Sequence, residues 1–567
     1  MAFISIEKTF IFYYIVVLIY RTEKSQLSSI PFVPIPSLSH LSHEILTQNT
    51  PAMKHFRTLF ICLFLYAFTL SATAQNVVPD NFEEWMEAAM EQWDIPGMGV
   101  AIVHEGEIAY VEGFGVRQLG SDEPVNQHTQ FGIASVSKHM TASSLAILVD
   151  EGLISWDDPV SKHIPWFQLS DSWATAHVTI DDLLTHQVGV GRMLGNRLQY
   201  MTDRSREELL RRMKHHDFEQ PFRSAYVYSN VMYALAGEIV KAVSGSTWDE
   251  FMAERFFQPM DMRRTNTSIN DLDEENAALP HQYIKGEVIE IPRRSWDNAA
   301  PAGGVNSTPA DFAKWIQLQV GNPGSYNNIQ YISEESIRDI QTPKVTHSLP
   351  TIAAPQNSYG YGYSITDYKG YRLLSHGGAT DGMNTTYIII PELDFGIIVM
   401  SNLFNTFRQA VAYTVIDHIL EEEETDWNEI YYESFINQYE SVSNIRDAFE
   451  ATRIEDTTPT HDLEHYAGRF YDDLYDTLEI TYEDGNLRLT IYDIEELSAD
   501  LEHWHHNTFR IIWDNPALRE DFLQFQMNFE GEIDKVQKRF TLRPMMLQVG
   551  SYPTNYYRDV IFERVDN

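Results

Sequence analysis

The chain has 567 residues, of which 43% are hydrophobic, so it carries enough apolar material for more than one buried core and is not generally disordered. Its 81 acidic and 41 basic residues give a formal net charge of −40. A field of that sign repels phosphate backbones, so we expect no nucleic-acid partner.

Residues 53–74 have the pattern of a secretory signal peptide. A short basic region at 53–57 precedes an apolar run at 58–70, and small residues at 71–74 form a signal-peptidase site before Gln75. The apolar run is shorter than the roughly 20 residues that span a bilayer. The pattern predicts a periplasmic or secreted protein.

Residues 1–52 stand upstream of this complete signal. We interpret them as an extension that results from a start codon placed too early. If the extension is present in the protein, its apolar run at 10–20 would attach the chain to a membrane.

The single cysteine, Cys62, lies within the predicted signal. The mature chain would therefore contain no disulfide, no thiolate metal site and no cysteine nucleophile. Histidine pairs occur at 215–216 and 505–506, but no known ligand pattern accompanies them. We predict neither a metal nor a cofactor.

The pattern over 75–422 predicts one α+β domain, with strands at both ends and helices between them. The first strands, at 97–104 and 107–114, form a hairpin through Glu105-Gly106, and a helix starts near Ser135. We therefore expect an antiparallel sheet that joins the N- and C-terminal strands, with helices on both faces. The other elements predicted here are a helix over 80–93, strands over 371–375, 385–390 and 396–400, and a helix over 406–420.

An acidic run at 421–426 marks a shift in composition, and runs of like charge are usually solvated boundaries. We place the end of the first domain there, followed by a helical linker over 423–460 and a small all-β domain over 461–567. The strands predicted in this second domain cover 466–471, 477–483, 487–491, 509–513, 522–529 and 536–542.

Ser135 and Lys138 form an S-x-x-K motif at the predicted helix start. Residues three apart share one helix face, so the Lys138 amine can reach Ser135 Oγ. The helix N-terminus favours a developing oxyanion, and a lysine held among other donors can have its pKa lowered until it accepts the serine proton. The spacing alone is weak evidence, because Ser5-Ile6-Glu7-Lys8 matches it too.

Two further motifs complete a recognisable set. Tyr228-Ser229-Asn230 opens a helical run, and His376-Gly377-Gly378 ends the first of the late strands. With Ser135-x-x-Lys138, these motifs resemble the serine β-lactamase and penicillin-binding protein superfamily over about residues 80–420. The chain is most similar to the branch of class C β-lactamases, D-alanyl-D-alanine carboxypeptidases and related esterases, and its last domain resembles the lipocalin-like appendage of some members. Supporting segments are Phe131-Gly132-Ile133-Ala134, Leu183-Leu184-Thr185-His186, Pro301-Ala302-Gly303-Gly304-Val305 and Tyr359-Gly360-Tyr361-Gly362-Tyr363.

The resemblance implies a role for each motif residue. Ser135 would attack a carbonyl and form an acyl-enzyme, with Lys138 and Tyr228 sharing the general-base work. Asn230 would hydrogen-bond the substrate amide, and the backbone N–H groups of Ser135 and Ala379 would form the oxyanion hole. The remaining substrate-binding residues would be His376, Gly377 and Gly378.

His376 stands where β-lactamases of this superfamily usually carry a lysine, whose fixed cation binds the drug's carboxylate. Histidine is mostly neutral near pH 7 unless its surroundings shift it. The resemblance thus implies an exported hydrolase of an amide or ester, with small peptides, D-amino-acid peptides, esters and β-lactams open as substrates. The alternative is a non-catalytic protein of the same fold that binds β-lactams or cell-wall peptides, and the intact motifs disfavour it. We interpret His186 as a buried histidine that supports the site.

Overall fold

The computed structural model describes residues 76–191, 202, 204–284, 286–348, 357–422, 425–491, 494–516, 518, 521–539 and 560–565. The predicted signal peptide with Cys62 and the extension over 1–52 lie outside the described residues. So do residues 423–424, where we place the domain boundary, and the end of the strand predicted over 536–542.

Eight antiparallel strands form the sheet of the first domain. Strand β1 (Gly97–His104) lies beside β14 (Phe395–Ser401), with Met98 opposite Ser401 and Val103 opposite Gly396. The N- and C-terminal strands therefore join in one sheet, and the predicted α+β fold is confirmed. From edge to edge the order is β2 (Glu107–Gly115), β1, β14, β13 (Met383–Ile390), β12 (Tyr371–Thr380), β11 (Ser364–Tyr368), β10 (Asn357–Tyr359) and β9 (Val345–Ser348).

Both faces of this sheet are covered, because successive side chains of a strand point to opposite sides. Met98, Val100 and Ile102 of β1 pack in a core with helices α1 (Phe82–Gln92) and α12 (Phe407–Ile419). Ala101 and Val103 belong to the core on the other face, which includes α2 (Ser137–Asp150) and α10 (Pro309–Gln319). Full burial of each larger apolar side chain contributes about 1.5–3 kcal/mol, so the two cores fix the sheet between its helices.

The chain between the two ends of the sheet is mostly helical, with short two-stranded ribbons between the helices. The ribbons pair β3 (Phe131–Gly132) with β6 (Asn306–Ser307), β4 (His281–Ile284) with β5 (Glu287–Glu290), and β7 (Ser325–Tyr326) with β8 (Ile329–Gln330). The helices are α3 (Val160–His163), α4 (Ser172–His177), α5 (Ile180–Leu184), α6 (Arg206–Arg212), α7 (Asn230–Ser244), α8 (Trp248–Met252), α9 (Ala300–Gly303) and α11 (Glu334–Ile340).

The predicted β1–β2 hairpin is confirmed. Glu105 has φ 53° and Gly106 has φ 76°, and a two-residue turn with both residues at positive φ matches the right-handed twist of the strands it joins. Strand β12 is longer than predicted, because it continues through the His376-Gly377-Gly378 motif to Thr380 instead of ending there.

The C-terminal domain is a closed barrel of eight antiparallel strands, which confirms the predicted all-β domain. The first strand, β15 (Gly468–Asp472), closes on the last, β22 (Val560–Val565), with Arg469 opposite Val565. Buried side chains such as Phe470, Leu489 and Phe525 pack in its interior. The strands between are β16 (Asp476–Glu483), β17 (Asn486–Ile491), β18 (Ile494–His505), β19 (Thr508–Trp513), β20 (Asp521–Met527) and β21 (Ile533–Arg539).

Several strands escaped prediction for a common reason, which is their weak apolar pattern. Strand β18 exposes four acidic side chains, and acidic residues are depleted in strands. Strand β11 buries only Ile365 among its five residues. Such strands are held by their neighbours in the sheet, so their own sequences carry little signal.

Helix α13 (Trp427–Glu450) lies within the predicted linker and contacts both domains. The ring of Trp93, just after α1, lies 5.1 Å from the rings of both Tyr432 and Phe435. At the end of α13, the Glu450 carboxylate pairs with Arg510 of the barrel. The helix therefore connects the two domains through packed side chains as well as through the backbone.

A second contact between the domains lies at Asp476, the first residue of β16. Its carboxylate pairs with Arg204 and with Arg212 of α6, each at 2.6 Å. Burial alone would raise the pKa of Asp476, but the Thr477 hydroxyl and the two guanidinium groups hold it below its usual value. The carboxylate is therefore charged at neutral pH and fixes the barrel against α6.

Candidate active site

Ser135 lies on a tight helical turn, Ala134–Val136, which leads directly into α2. Ala134 has φ 46°, in the left-handed region that costs a residue with a Cβ about 1–2 kcal/mol. The Ser137 hydroxyl braces this turn, since it donates to the Ala134 carbonyl at 2.7 Å and accepts from Val305 N at 3.1 Å. This role of the second serine in the motif has no signal in the sequence.

Strand β12 crosses the same turn at Gly378. A Cβ at this position would collide with the backbone carbonyl of Ile133, so only glycine allows the strand to lie this close. The neighbouring Gly377 is exposed, and a Cβ there would come no nearer than 3.9 Å to Thr385 O. The motif therefore places the backbone on either side of Gly378, including Ala379, beside Ser135.

Lys138 is fully buried, and its amine contacts three oxygen atoms. Nζ lies 2.6 Å from Asn230 Oδ1 at the start of α7, 2.8 Å from Ala302 O in α9 and 3.2 Å from Ser135 Oγ. The amide and carbonyl oxygens can only accept, so both contacts require an N–H. Nζ also faces Ser135 Oγ. There an ammonium group would donate a hydrogen bond to the serine oxygen, and a neutral amine would accept one from the serine hydroxyl.

Tyr228 contacts the same serine from another direction. Its hydroxyl donates to Ser135 Oγ at 2.9 Å, and its ring centre lies 4.6 Å from Lys138 Nζ. Ser135 Oγ thus lies within hydrogen-bond distance of two groups that can exchange a proton with it. The structure brings together Ser135, Lys138, Tyr228 and Asn230, which are predicted from two separate stretches of sequence.

His186 supports the segment that carries Tyr228 and Asn230. The histidine is buried, its Nδ1 accepts from Ser229 N at 3.1 Å, and its carbonyl accepts from Val227 N at 2.8 Å. Its ring lies 4.5 Å from that of Tyr228. These contacts fix the backbone on both sides of Tyr228, as expected of a histidine that supports the site.

His376 lies on β12 with its ring turned into the protein. Nδ1 lies 2.8 Å from Gly377 O, which can only accept, so this nitrogen carries a proton. Nε2 lies 3.2 Å from the hydroxyl of Tyr359, a buried residue whose pKa is raised well above its usual value by desolvation. Tyr359 therefore stays protonated and can donate to Nε2, an arrangement that suits neutral histidine. Tyr359 belongs to the segment Tyr359-Gly360-Tyr361-Gly362-Tyr363, and the sequence alone predicts no role for this tyrosine.

A second histidine, His139, is buried behind Lys138. Its Nε2 accepts a hydrogen bond of 2.6 Å from Trp315 Nε1, and the backbone of Gly362 packs so closely here that a Cβ would lie 2.5 Å from His139 N. Desolvation lowers the pKa of His139 well below its usual value. His139 is therefore a neutral packing residue under the catalytic candidates.

Of the paired histidines, His216 Nδ1 lies 2.5 Å from Asp217 O and His215 Nδ1 lies 3.8 Å from a carboxylate oxygen of Asp473. His503 Nε2 lies 2.9 Å from His506 O, and His505 Nδ1 lies 3.4 Å from Ile454 N. Within the part of the chain that the structure describes, no group of three or more His, Cys, Asp and Glu side chains is placed to hold a metal ion. The same residues include no helix long and apolar enough to cross a bilayer.

Comparison with known proteins gives the family. The model of the family described as Beta-lactamase matches residues 82–421, which is more than half of the chain, and the chain belongs to this family. A domain of unknown function, DUF3471, matches residues 452–549, a range that includes strands β15 to β21.

Individual relatives are distant but cover most of the chain. The unguisins hydrolase ungD′ of Aspergillus campestris is 26% identical over 431 residues, which is 71% of this chain and 78% of the relative. Protein flp of Staphylococcus aureus is 22% identical over 370 residues, or 64% of this chain and 69% of the relative. Among solved structures, the octameric penicillin-binding protein homologue from Pyrococcus abyssi has 21% identity and a TM-score of 0.54, over 81% of this chain and 97% of that chain. The structural likeness shows a shared fold.

The close contact at Gly378 predicts that alanine substitutions at Gly377 and Gly378 differ sharply in their effect on stability. Gly378→Ala must push β12 away from Ile133, so we expect a loss of about 1–3 kcal/mol in unfolding free energy and at least about tenfold slower fluorophosphonate labelling. Gly377→Ala should change the unfolding free energy by less than about 0.5 kcal/mol. Denaturant unfolding and labelling rates measure both, and equal stabilities of the two variants would contradict the contact.

The buried His139 predicts a loss of stability in acid. The unfolded state binds a proton at the usual pKa of 6.5 and the folded state does so only well below it, so stability falls as the pH drops below about 6.5. In His139→Gln, the dependence of unfolding free energy on pH between 7 and 5 should shrink by up to about 1.4 kcal/mol per pH unit. Equal slopes for wild type and His139→Gln would contradict this assignment.

Proposed function

We propose that the protein is a serine hydrolase in which Ser135 attacks a carbonyl carbon and forms an acyl-enzyme. The observation that carries this proposal is the position of Ser135 Oγ, 2.9 Å from the Tyr228 hydroxyl and 3.2 Å from the buried Lys138 amine. A nucleophile within hydrogen-bond reach of its base, with the base held by further groups, is the arrangement that activates a serine. Asn230 and Ala302 hold the Lys138 amine in this way.

In the proposed acylation step, Ser135 Oγ bonds to the substrate carbonyl carbon and its proton passes to the Lys138–Tyr228 pair. The negative charge that develops on the carbonyl oxygen is stabilised by the N–H groups of Ser135 and Ala379. The bond to the leaving amine or alcohol then breaks, and the leaving group takes the proton from the same pair. Asn230 and the strand segment Gly377–Gly378 orient the substrate.

In the proposed deacylation step, a water molecule gives one proton to the Lys138–Tyr228 pair and attacks the ester carbonyl carbon. The bond to Ser135 Oγ breaks, the serine recovers a proton from the pair, and the acid product leaves. Because one pair serves both steps, loss of either member should impair both half-reactions.

The substrate class we propose is an amide or ester of a small molecule or small peptide, including D-amino-acid peptides, with β-lactams as the weaker candidates. His376, whose ring nitrogens both lie near protein groups, is not a fixed cation like the lysine that binds a drug carboxylate. The relative named as an unguisins hydrolase supports hydrolysis as the reaction of this branch of the family.

We also propose that the enzyme is exported to the periplasm or secreted, on the strength of the signal pattern at 53–74. N-terminal sequencing of the protein recovered from its native cells should begin at Gln75. A sequence that starts within 1–52 would overturn this proposal and would favour a retained N-terminal segment.

The test of the proposed function is labelling with a fluorescent penicillin and with a fluorophosphonate. Wild type should be labelled by at least one probe, and Ser135→Ala by neither, because the probe's covalent bond forms with Ser135 Oγ. The control is Ser143→Ala on the same helix, whose hydroxyl donates to His139 O at 2.9 Å, and it should label like wild type. Labelling that survives in Ser135→Ala would refute the proposal, and reversible binding without any labelling would favour the non-catalytic alternative.

A further inference from the structure

The first turn of α12 contains a buried arginine, Arg408, which is only 5% exposed. Its Nη1 donates to Asn405 O and, at 2.7 Å, to Gln409 Oε1. Its Nε is buried and has no hydrogen-bond partner among the described residues. Amide and carbonyl oxygens are neutral acceptors, so these contacts leave the positive charge of the guanidinium uncompensated.

No negatively charged group offsets this charge within the part of the chain that the structure describes. Desolvation lowers the pKa of Arg408, but only to about 9, so the guanidinium stays charged at neutral pH. The side chain that acts against this shift is Tyr431 of α13, and burial raises the pKa of Tyr431 well above its usual value, so it stays neutral. In a chain with 81 acidic and 41 basic residues, a buried arginine without an acidic partner calls for an explanation.

The helix end that carries Arg408 is itself positive. Unpaired N–H groups leave a partial positive charge at a helix N-terminus, which acidic side chains stabilise and cations destabilise. The first turn of α12 contains no acidic residue, and its N-cap residue Thr406 makes no capping hydrogen bond. The hydroxyl of Thr406 is buried and also has no partner among the residues that the structure describes. One buried turn therefore combines two positive groups with a hydroxyl that can donate.

These features together favour an anion as the missing partner. A lone charge in the interior is costly unless a group of opposite charge pairs with it, and helix N-termini bind anions readily. One guanidinium and about half a charge from the helix end match a monovalent anion better than a divalent one. The flanking residues Asn405, Thr406 and Phe407 are all buried, so the surroundings favour a monatomic ion over a polyatomic one.

This turn lies on the face of the sheet opposite to the helix that follows Ser135. Helix α12 packs in the core with α1, whereas α2 belongs to the core on the other face. Asn405 connects the turn to the sheet, because its carbonyl also accepts from Asn384 Nδ2 at 2.8 Å. Asn384 lies opposite Ala379 in the pairing of β12 with β13. An anion bound at Arg408 would therefore stabilise the start of α12 and the end of β13 that it contacts.

We propose that the N-terminal turn of α12 is a binding site for a monovalent anion of about the size of chloride, with the guanidinium of Arg408 as its ligand. The anion balances the buried charge and stabilises the folded domain. The proposal is independent of the hydrolase function proposed above, because none of the candidate catalytic residues takes part in this site.

The first measurement is the unfolding midpoint, Tm, at constant sodium concentration and ionic strength, with gluconate replaced stepwise by chloride. Gluconate is too large for the site, so the Tm of wild type should rise by about 2–4 °C as chloride replaces it, because a ligand that binds only the folded state stabilises that state. Arg408→Met removes the buried cation and should show no chloride-dependent rise. Arg263→Met, at an exposed arginine that pairs with Asp261, is the matched control and should respond like wild type.

The second measurement follows the ion itself and does not depend on a folded variant. The chloride NMR line broadens when chloride exchanges with a protein site, so wild type and Arg263→Met should broaden it and bromide should reverse the effect. Arg408→Met should leave the line as narrow as in buffer. Crystals of wild type grown in bromide should show an anomalous-scattering peak beside Arg408 Nε.

The outcomes separate clearly. An equal chloride-dependent rise of Tm in wild type and Arg408→Met would overturn the proposal, and so would a wild-type protein with neither line broadening nor a bromide peak at Arg408. A rise of Tm with acetate and none with chloride would overturn the assignment to a chloride-sized ion. If Arg408→Met does not fold, the bromide peak in wild type decides.

Discussion

The buried amine of Lys138 is the point on which the candidate active site depends. Three separate parts of the chain meet at this one nitrogen: the turn of Ser135, the start of α7 at Asn230 and the carbonyl of Ala302 in α9. An amine that is removed from water must find partners inside the protein, because an unpaired charge in the interior is very costly. The positions of the three segments are therefore coupled to one another through the Lys138 amine.

The strained backbone conformation next to Ser135 is held in place by contacts from several elements. Ala134 adopts a left-handed conformation next to Ser135, and this conformation persists because Ser137, Val305 and the close crossing of β12 at Gly378 surround it. Each support comes from a different element of the domain. The position of Ser135, half-buried at the start of a helix, is thus a product of the whole sheet-and-helix packing rather than of the local sequence.

Local patterns predicted the elements whose sequences are strongly apolar or carry turn residues, such as the β1–β2 hairpin at Glu105-Gly106 and the helix after Ser135. They failed for β18, whose acidic residues are paired into the barrel by neighbouring strands, and for the end of β12, where two glycines resemble a turn. Both failures arise because contacts with distant residues outweigh local preference.

The candidate site shows the same contrast between what local sequence patterns predict and what contacts between distant residues determine. The spacing of the S-x-x-K motif predicts the approach of Lys138 to Ser135, and the resemblance to a known family pointed to Tyr228 and Asn230. Neither indicates Ser137 as a brace or Tyr359 as the partner of His376, because these contacts join residues that have no fixed spacing in the chain. The roles assigned to the site residues remain predictions that rest on geometry and family.

The barrel is connected to the neighbourhood of the site through α6. Arg212 of this helix pairs with Asp476 of the barrel, while Arg206 pairs with Glu238 of α7 and donates to the backbone carbonyl of Asp297. Helix α7 begins at Asn230, which contacts the Lys138 amine. One short helix therefore contacts both the barrel and the helix that carries Asn230.

The most direct test of the account is to locate the covalent adduct in the wild-type protein. After reaction with a fluorophosphonate, intact-protein mass spectrometry should show one adduct per chain, and fragmentation of the peptide that ends at Lys138 should place it on Ser135 and not on Ser137. An adduct on any other residue, or more than one adduct per chain, would contradict the account.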